Sequence, residues 1–468
     1  MEKQQKEIKN WQIALFALNG IATNTSLVMM GYFMFFTQNI LGLSAVVVGM
    51  IATFMRAFDG VTDPPIGILI DRTNTKFGKV RPYILLGCLI ISGTMVAIFN
   101  CPASLSVTGK YVYTTIFYAI YIIGYTFQGT CTRASQAILT RDPKQRPLFA
   151  VFNGGFNAIL SAVFPLILMT WMAPRYEGQL LNPKLWSDMS LVVVGMMLVF
   201  SVLAMIGIAP KDTPDNYQTD PNAKKIGFRD MYEVVRKNRA LQMLVVAAST
   251  DKLAFQLMNG VMIYVFSNCI LNSSLQGIYA SIKVWPVLIV SMSGIFLARK
   301  FGMKKPFLVG TWGSLLALAA MFVMGAKPGN YMAFLVIFVL QSCMAGITNN
   351  ILNPMIADCA DYEEYRSGKF IPGIVGTVFT FVDKIISSLA TTITGFALAF
   401  AGVANGQIPT DTYISDKFYW TIMFCFCIVP IIGHIFSIIA MKFYPLTTEK
   451  MEEIQVELKK RKFGSLVK

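Results

Sequence analysis

Twelve apolar runs, each of roughly bilayer length, follow one another along almost the whole chain. They fall at about 11–40, 44–70, 82–101, 110–138, 148–173, 188–209, 240–270, 274–298, 306–325, 330–357, 371–402 and 418–442. A helix needs ~20 mostly apolar residues to cross the hydrocarbon layer. No soluble core uses this much apolar chain at so regular a spacing. Composition agrees: 14% of the 468 residues are charged, against about 25% in soluble domains. Barrel-type alternation is absent, so helices are left as the way to satisfy the backbone in lipid. The expected fold is an all-α membrane protein of twelve transmembrane helices. The first residues are polar and mixed in charge, and the run after Trp11 is too long for a cleaved leader.

Most of the 40 Lys and Arg fall in the N-terminal tail, the even-numbered loops and the C-terminal tail. The positive-inside rule then places both termini in the cytoplasm of a plasma (bacterial inner) membrane. The formal charge of +15 is a topology signal, with no basic, aromatic-interleaved stripe for nucleic acid. The basic run Lys459 to Lys462 reads as a solvated tail, with contact to anionic lipid as the alternative. The eight Cys are scattered without a CxxC pair and read as small packing residues, and the single His434 has no evident metal partners. No nucleophile–base or metal set for an enzyme stands out.

An internal repeat organises the chain. Lys76-Phe-Gly-Lys-Val-Arg-Pro82 and Lys300-Phe-Gly-Met-Lys-Lys-Pro306 both follow Gly-Ile-x-x-x-Arg (Gly67 to Arg72, Gly294 to Arg299). Both sit between the second and third spans of a six-span set, where Gly ends one helix and Pro starts the next. The division is 1–209, a linker 210–239, 240–442 and a tail 443–468. Two parallel halves of this kind resemble the major facilitator superfamily, with substrate near the midplane.

Charges inside the spans are costly and therefore informative. The second span holds Arg56-Ala-Phe-Asp59-Gly-Val-Thr62-Asp63-Pro64, and spacings of three and four put Arg56, Asp59 and Asp63 on one helix face. Two close carboxylates with a hydroxyl suit Na+ or a proton. Pro64 also leaves the Gly60 carbonyl without its helical donor. An ion network with no transport role is the alternative. The eleventh span holds Asp383 and Lys384, and Lys384 is expected to seek Asp59. The seventh holds Asp251 and Lys252, which diverge by about 100° and need separate surroundings or a position near the membrane interface. The fourth holds Arg133 among Thr130, Thr132 and Ser135, either lining a cavity or snorkelling to the interface.

The Arg56 to Pro64 run, the Arg72 to Pro82 loop and Asp358-Cys-Ala-Asp361-Tyr-Glu-Glu-Tyr365 resemble the glycoside–pentoside–hexuronide:cation symporter family, from the first span to Phe443-Tyr-Pro-Leu446. The resemblance implies symport by alternating access, with no cofactor beyond Na+ or H+ as coupling ion. It implies a cation site at Asp59, Asp63, Thr62 and Thr126, with Asp59 and Asp63 as metal ligands if the ion is Na+. It also implies coupling through Lys384 and Arg56. The sugar-binding acids of the melibiose branch are replaced by Thr23 and Gly129, and its arginine is missing near Gly154. The substrate set therefore becomes Thr23, Arg133, Lys384, Asp383, Phe379 and Thr380, favouring an anionic sugar derivative such as a uronide or sulfonated sugar. Asp71, Arg72, Gly78, Arg81, Asp358 and Asp361 form the expected gate. The expected partners are this small molecule and membrane lipid, with the protein a monomer. A lysolipid or other non-sugar substrate, or a transporter-derived sensor, are the rival readings.

Overall fold

The computed structural model describes residues 9–73, 75–139, 146–213, 233–234, 236–368, 372–403 and 408–466. The described residues are overwhelmingly helical. The helices are α1 (Asn10–Met30), α2 (Phe33–Asn39), α3 (Ala45–Arg72), α4 (Arg81–Phe99), α5 (Val107–Leu139), α6 (Arg146–Pro165) and α7 (Pro183–Ile208). There follow α8 (Arg239–Tyr264), α9 (Ser274–Ile282), α10 (Val284–Phe301), α11 (Lys304–Met324) and α12 (Tyr331–Ser367). The last are α13 (Pro372–Phe400), α14 (Asp416–Met423), α15 (Val429–Lys442) and α16 (Thr448–Leu466).

Among the described residues, ten helical stretches are long and apolar enough to cross a bilayer. The Thr- and Tyr-rich α5, and α8 with its Asp251 and Lys252, are not among them. Large apolar side chains stand on the outside, Trp285 and Val323 among them, as lipid-facing helices require. Wide π turns interrupt the helices in places. Leu166–Met172 follows Pro165, and Phe424–Ile428 leads into Pro430. Pro430 cannot donate to the turn before it, and the wider turn there takes up the mismatch; Val265–Cys269 is a third such turn, without a proline.

The chain forms two compact units. The first comprises residues 1–223 together with the segments 274–281 and 402–410. In it α1 packs on α6 and α7, α4 on α5 and α7, and α3 on α5. Gly207 allows the α1–α7 approach, because a Cβ there would stand 2.8 Å from the Gln12 carbonyl oxygen. Buried polar side chains tie the helices across apolar surroundings: Asn19 Nδ2 donates to Thr132 Oγ1 (2.7 Å) and Gln128 Nε2 to Ser201 Oγ (3.2 Å). Small residues and interhelical hydrogen bonds replace the hydrophobic drive that lipid removes.

The second unit comprises 224–273, 282–401 and 411–468. Here α8 packs on α13 and α15, and α10 and α11 pack on α12. In the tail, Lys460 of the basic run is exposed, as the solvated reading expects, and the residues before it are docked. The tail forms α16, whose Ile454 and Leu458 are buried in the same apolar cluster as Met355, Cys359 and Tyr444. Spaced four apart, these two residues give an otherwise charged helix one apolar stripe, and burying it docks the helix.

Candidate functional site

The first unit gathers most of the expected cation ligands around one carboxylate. Asp59 is fully buried on α3. Its Oδ1 accepts from Thr126 Oγ1 of α5 at 3.1 Å, and its Oδ2 lies 3.7 Å from Arg56 Nη1 one turn back. Thr62 Oγ1 sits 3.0 Å from Thr126 Oγ1 and also donates to the Asp59 carbonyl at 3.0 Å. Asp63 is half-buried one turn on. Asp59, Thr62 and Thr126 thus form an oxygen cluster between α3 and α5, with Asp63 on the adjoining turn. Hard cations take such oxygen donors, and a buried carboxylate flanked by hydroxyls equally holds a proton. Asp59 meets Arg56 within its own unit, as the three-residue spacing anticipates.

The expected substrate residues are not brought together in the same way. The Thr23 hydroxyl is buried and committed to packing, donating to the Asn19 carbonyl (3.0 Å) and to Gln128 Oε1 (2.8 Å). Phe379 lies in the apolar core of the second unit, whereas Thr380, the next residue, is exposed. Asp383 is buried and forms an ion pair with Lys252 of α8, and Lys384 is half-buried. The side chain of Arg133 lies outside the described residues. Asp251 and Lys252 do occupy separate surroundings. While Lys252 turns to Asp383, Asp251 Oδ1 meets His434 Nδ1 at 2.8 Å and its Oδ2 accepts from Ser437 Oγ at 2.9 Å. The histidine that looked solitary in sequence therefore has a carboxylate partner.

At the expected gate, the side chains of Asp71 and Arg72 lie outside the described residues. Gly78 has a φ of +94°, and a Cβ there would collide with Asp212. Asp212, just past α7, is the residue that sequence reasoning missed. Fully buried, its carboxylate accepts from the backbone N–H of Lys79 (2.8 Å), Val80 (3.2 Å) and Arg81 (2.9 Å), and from Arg81 Nε (3.3 Å). It caps α4 from outside its own helix, where orphan amides and the helix dipole favour a negative charge. The repeat supplies an analogue: Gly302, at φ +79°, leaves no room for a Cβ beside Thr448, just past α15. Nearby, Lys304 Nζ donates to the Tyr444 carbonyl at 2.9 Å. Asp361 accepts from Gln455 of α16 at 2.7 Å, and Asp358 is half-buried one turn earlier.

Comparison with known proteins agrees with this architecture. An isoprimeverose transporter of Lactiplantibacillus pentosus is 24% identical, over 92% of this chain and 87% of that protein. An inner membrane symporter of Escherichia coli K12 is 28% identical, over 92% of this chain and 90% of its own. A glucuronide carrier protein homolog of the same organism is 23% identical, over 97% and 96%. Among solved structures the nucleoside transporter NupG superposes with a TM-score of 0.65 at 12% identity, covering 94% of this chain and 99% of that one. At that identity the match speaks for the fold. The family model described as MFS/sugar transport protein matches residues 15–448, and the chain belongs to that family of major facilitator secondary transporters, integral to the membrane.

Proposed function

We propose that this protein carries a sugar or sugar derivative together with Na+ or H+ across a bacterial inner membrane by alternating access, its termini in the cytoplasm. The observation that carries the reading is the oxygen cluster of Asp59, Thr62 and Thr126, with Asp63 one turn on and Arg56 against the buried carboxylate. A cation bound there neutralises Asp59 and releases Arg56 from it. The relatives named for isoprimeverose and for a glucuronide span neutral and anionic sugars. Thr23, uncharged and hydrogen-bonded into the α1–α5 contact, offers no acid to a sugar hydroxyl, and Arg133 and Lys384 favour an anionic substrate. We assign Lys384 the task of sensing whether the helix α3 carboxylates are neutralised. The chain works as a monomer of twelve spans.

The test is uptake of radiolabelled isoprimeverose and of a β-glucuronide into proteoliposomes, driven by an inward Na+ gradient or an inward proton gradient. One gradient should drive accumulation of at least one sugar. Asp59→Asn should remove that accumulation while sparing exchange of internal for external sugar. Wild-type accumulation by Asp59→Asn, or no response to either gradient, defeats the reading.

A further inference from the structure

The second unit contains a cavity of about 170 Å³, walled on one part by apolar side chains such as Phe255, Met258 and Phe307 and on another by Asp251, Lys252 and His434. One water needs roughly 10–15 Å³ on such a measure, so there is room for water beside the polar groups. The His434 side chain is almost wholly buried, and its Nε2 has no hydrogen-bond partner among the described residues. Its Nδ1 is held by Asp251 Oδ1 at 2.8 Å. An ionised carboxylate only accepts, so in the neutral ring Nδ1 carries the hydrogen and Nε2 the lone pair. Ser437 donates to the other carboxylate oxygen and keeps Asp251 oriented.

We propose that Asp251 and His434 form a proton-binding site of the second unit, distinct from the oxygen cluster on α3 and supplied by water in the cavity. A proton from that water forms the Nε2–H bond, leaving an imidazolium beside the Asp251 carboxylate. Release reverses the step. The unloaded pair holds one net negative charge, and the loaded pair none. Charged groups also stand on the elements packed around the pair. From α8 comes Lys252, and from α13 Asp383 and Lys384; Lys252 and Asp383 cancel each other as an ion pair. The first turn of α11 carries Lys304 and Lys305, the end of α15 carries Lys442, and the π turns bring Cys269, Cys425 and Cys427. The cavity residues from α12 are uncharged, and its acids Asp358, Asp361, Glu363 and Glu364 lie further along the helix.

The chain has one histidine, so its imidazole can be followed without assignment. The full chain, labelled with 15N-histidine and held in phosphatidylethanolamine–phosphatidylglycerol nanodiscs, is taken from pH 9 to pH 5. The expected spectrum passes from a neutral ring protonated at Nδ1 to an imidazolium. Asp251→Asn should move the midpoint by a pH unit or more, a tenfold change in proton affinity. Ser437→Ala, a milder change at the same carboxylate, should move it by a measurable fraction of a unit even if Asp251→Asn does not fold. Asp59→Asn should leave it in place. A ring neutral throughout, or a midpoint indifferent to both α8 and α15 variants, overturns the proposal. So does a midpoint that follows Asp59→Asn. No substrate enters the measurement, so it can fail or succeed independently of the symport reading.

Discussion

Replacing Asp212 by Ala should loosen the start of α4. The substitution strands three backbone donors, at Lys79, Val80 and Arg81, and takes the carboxylate from Arg81 Nε. Losing a helix cap costs about 0.5–2 kcal/mol, and each buried donor left unsatisfied costs about 1–3 kcal/mol. Lys79 and Val80 are buried, whereas the Arg81 side chain is 25% exposed and can turn to water. The sum is therefore taken near the low end, at about 3 kcal/mol. At about 1.4 kcal/mol per decade, amide exchange across residues 79–84 should accelerate roughly 100-fold. Hydrogen–deuterium exchange of the protein in nanodiscs reads this directly. Asp212→Asn retains one acceptor oxygen and should lie between wild type and Asp212→Ala. Gly78→Ala should loosen the same peptide by pushing the carboxylate away. Unchanged exchange in Asp212→Ala would refute the reasoning, because the buried donors of Lys79 and Val80 cannot lose their acceptor without effect.

Three further outcomes follow from the helices on either side. Thr126→Ala removes a hydrogen bond to the buried Asp59 carboxylate and should weaken apparent affinity for the driving cation roughly tenfold or more, with Thr126→Ser restoring it; cation titration of uptake decides. Lys384→Ala should bring the ratio of substrate affinities with and without the cation towards one, since coupling between two ligands is reciprocal. A wild-type ratio in that variant would make Lys384 an anchor of α13. Lys252→Met leaves the buried Asp383 without its partner and should destabilise the protein by about 2 kcal/mol, whereas Lys252→Met with Asp383→Leu recovers most of the loss in thermal unfolding.

The sequence shows the helices and the faces of individual helices well, because apolar length and three-to-four spacing are local properties. Arg56, Asp59 and Asp63 could be placed on one face that way, and Thr62 follows from the same run. What spacing cannot tell is which distant residue meets a face. Asp212 lies more than 130 residues beyond the amides it caps, and no periodicity links the two. His434 and Asp251 are 183 residues apart, so a lone histidine in a span carries no sign of its partner. For Asp212 a signal did exist: an acid directly after the sixth span occupies the same place in its half as Thr448 in the other. The α16 stripe was also readable, from Ile454 and Leu458 at one-turn spacing. Thr23 shows the opposite limit, since a hydroxyl in a span reads equally as ligand or as packing until its neighbours are known.

The glycine loops also bear on where the chain can be lengthened. Each unit sets a residue that follows its last apolar span against its own early glycine loop, Asp212 in one and Thr448 in the other. In the first unit that fastening is complete before the chain runs on from Thr213 towards Arg239. An insertion directly after Thr213 therefore leaves the Asp212 contacts to Lys79, Val80 and Arg81 in place. An insertion only a few residues earlier, ahead of Asp212, would unfasten the first.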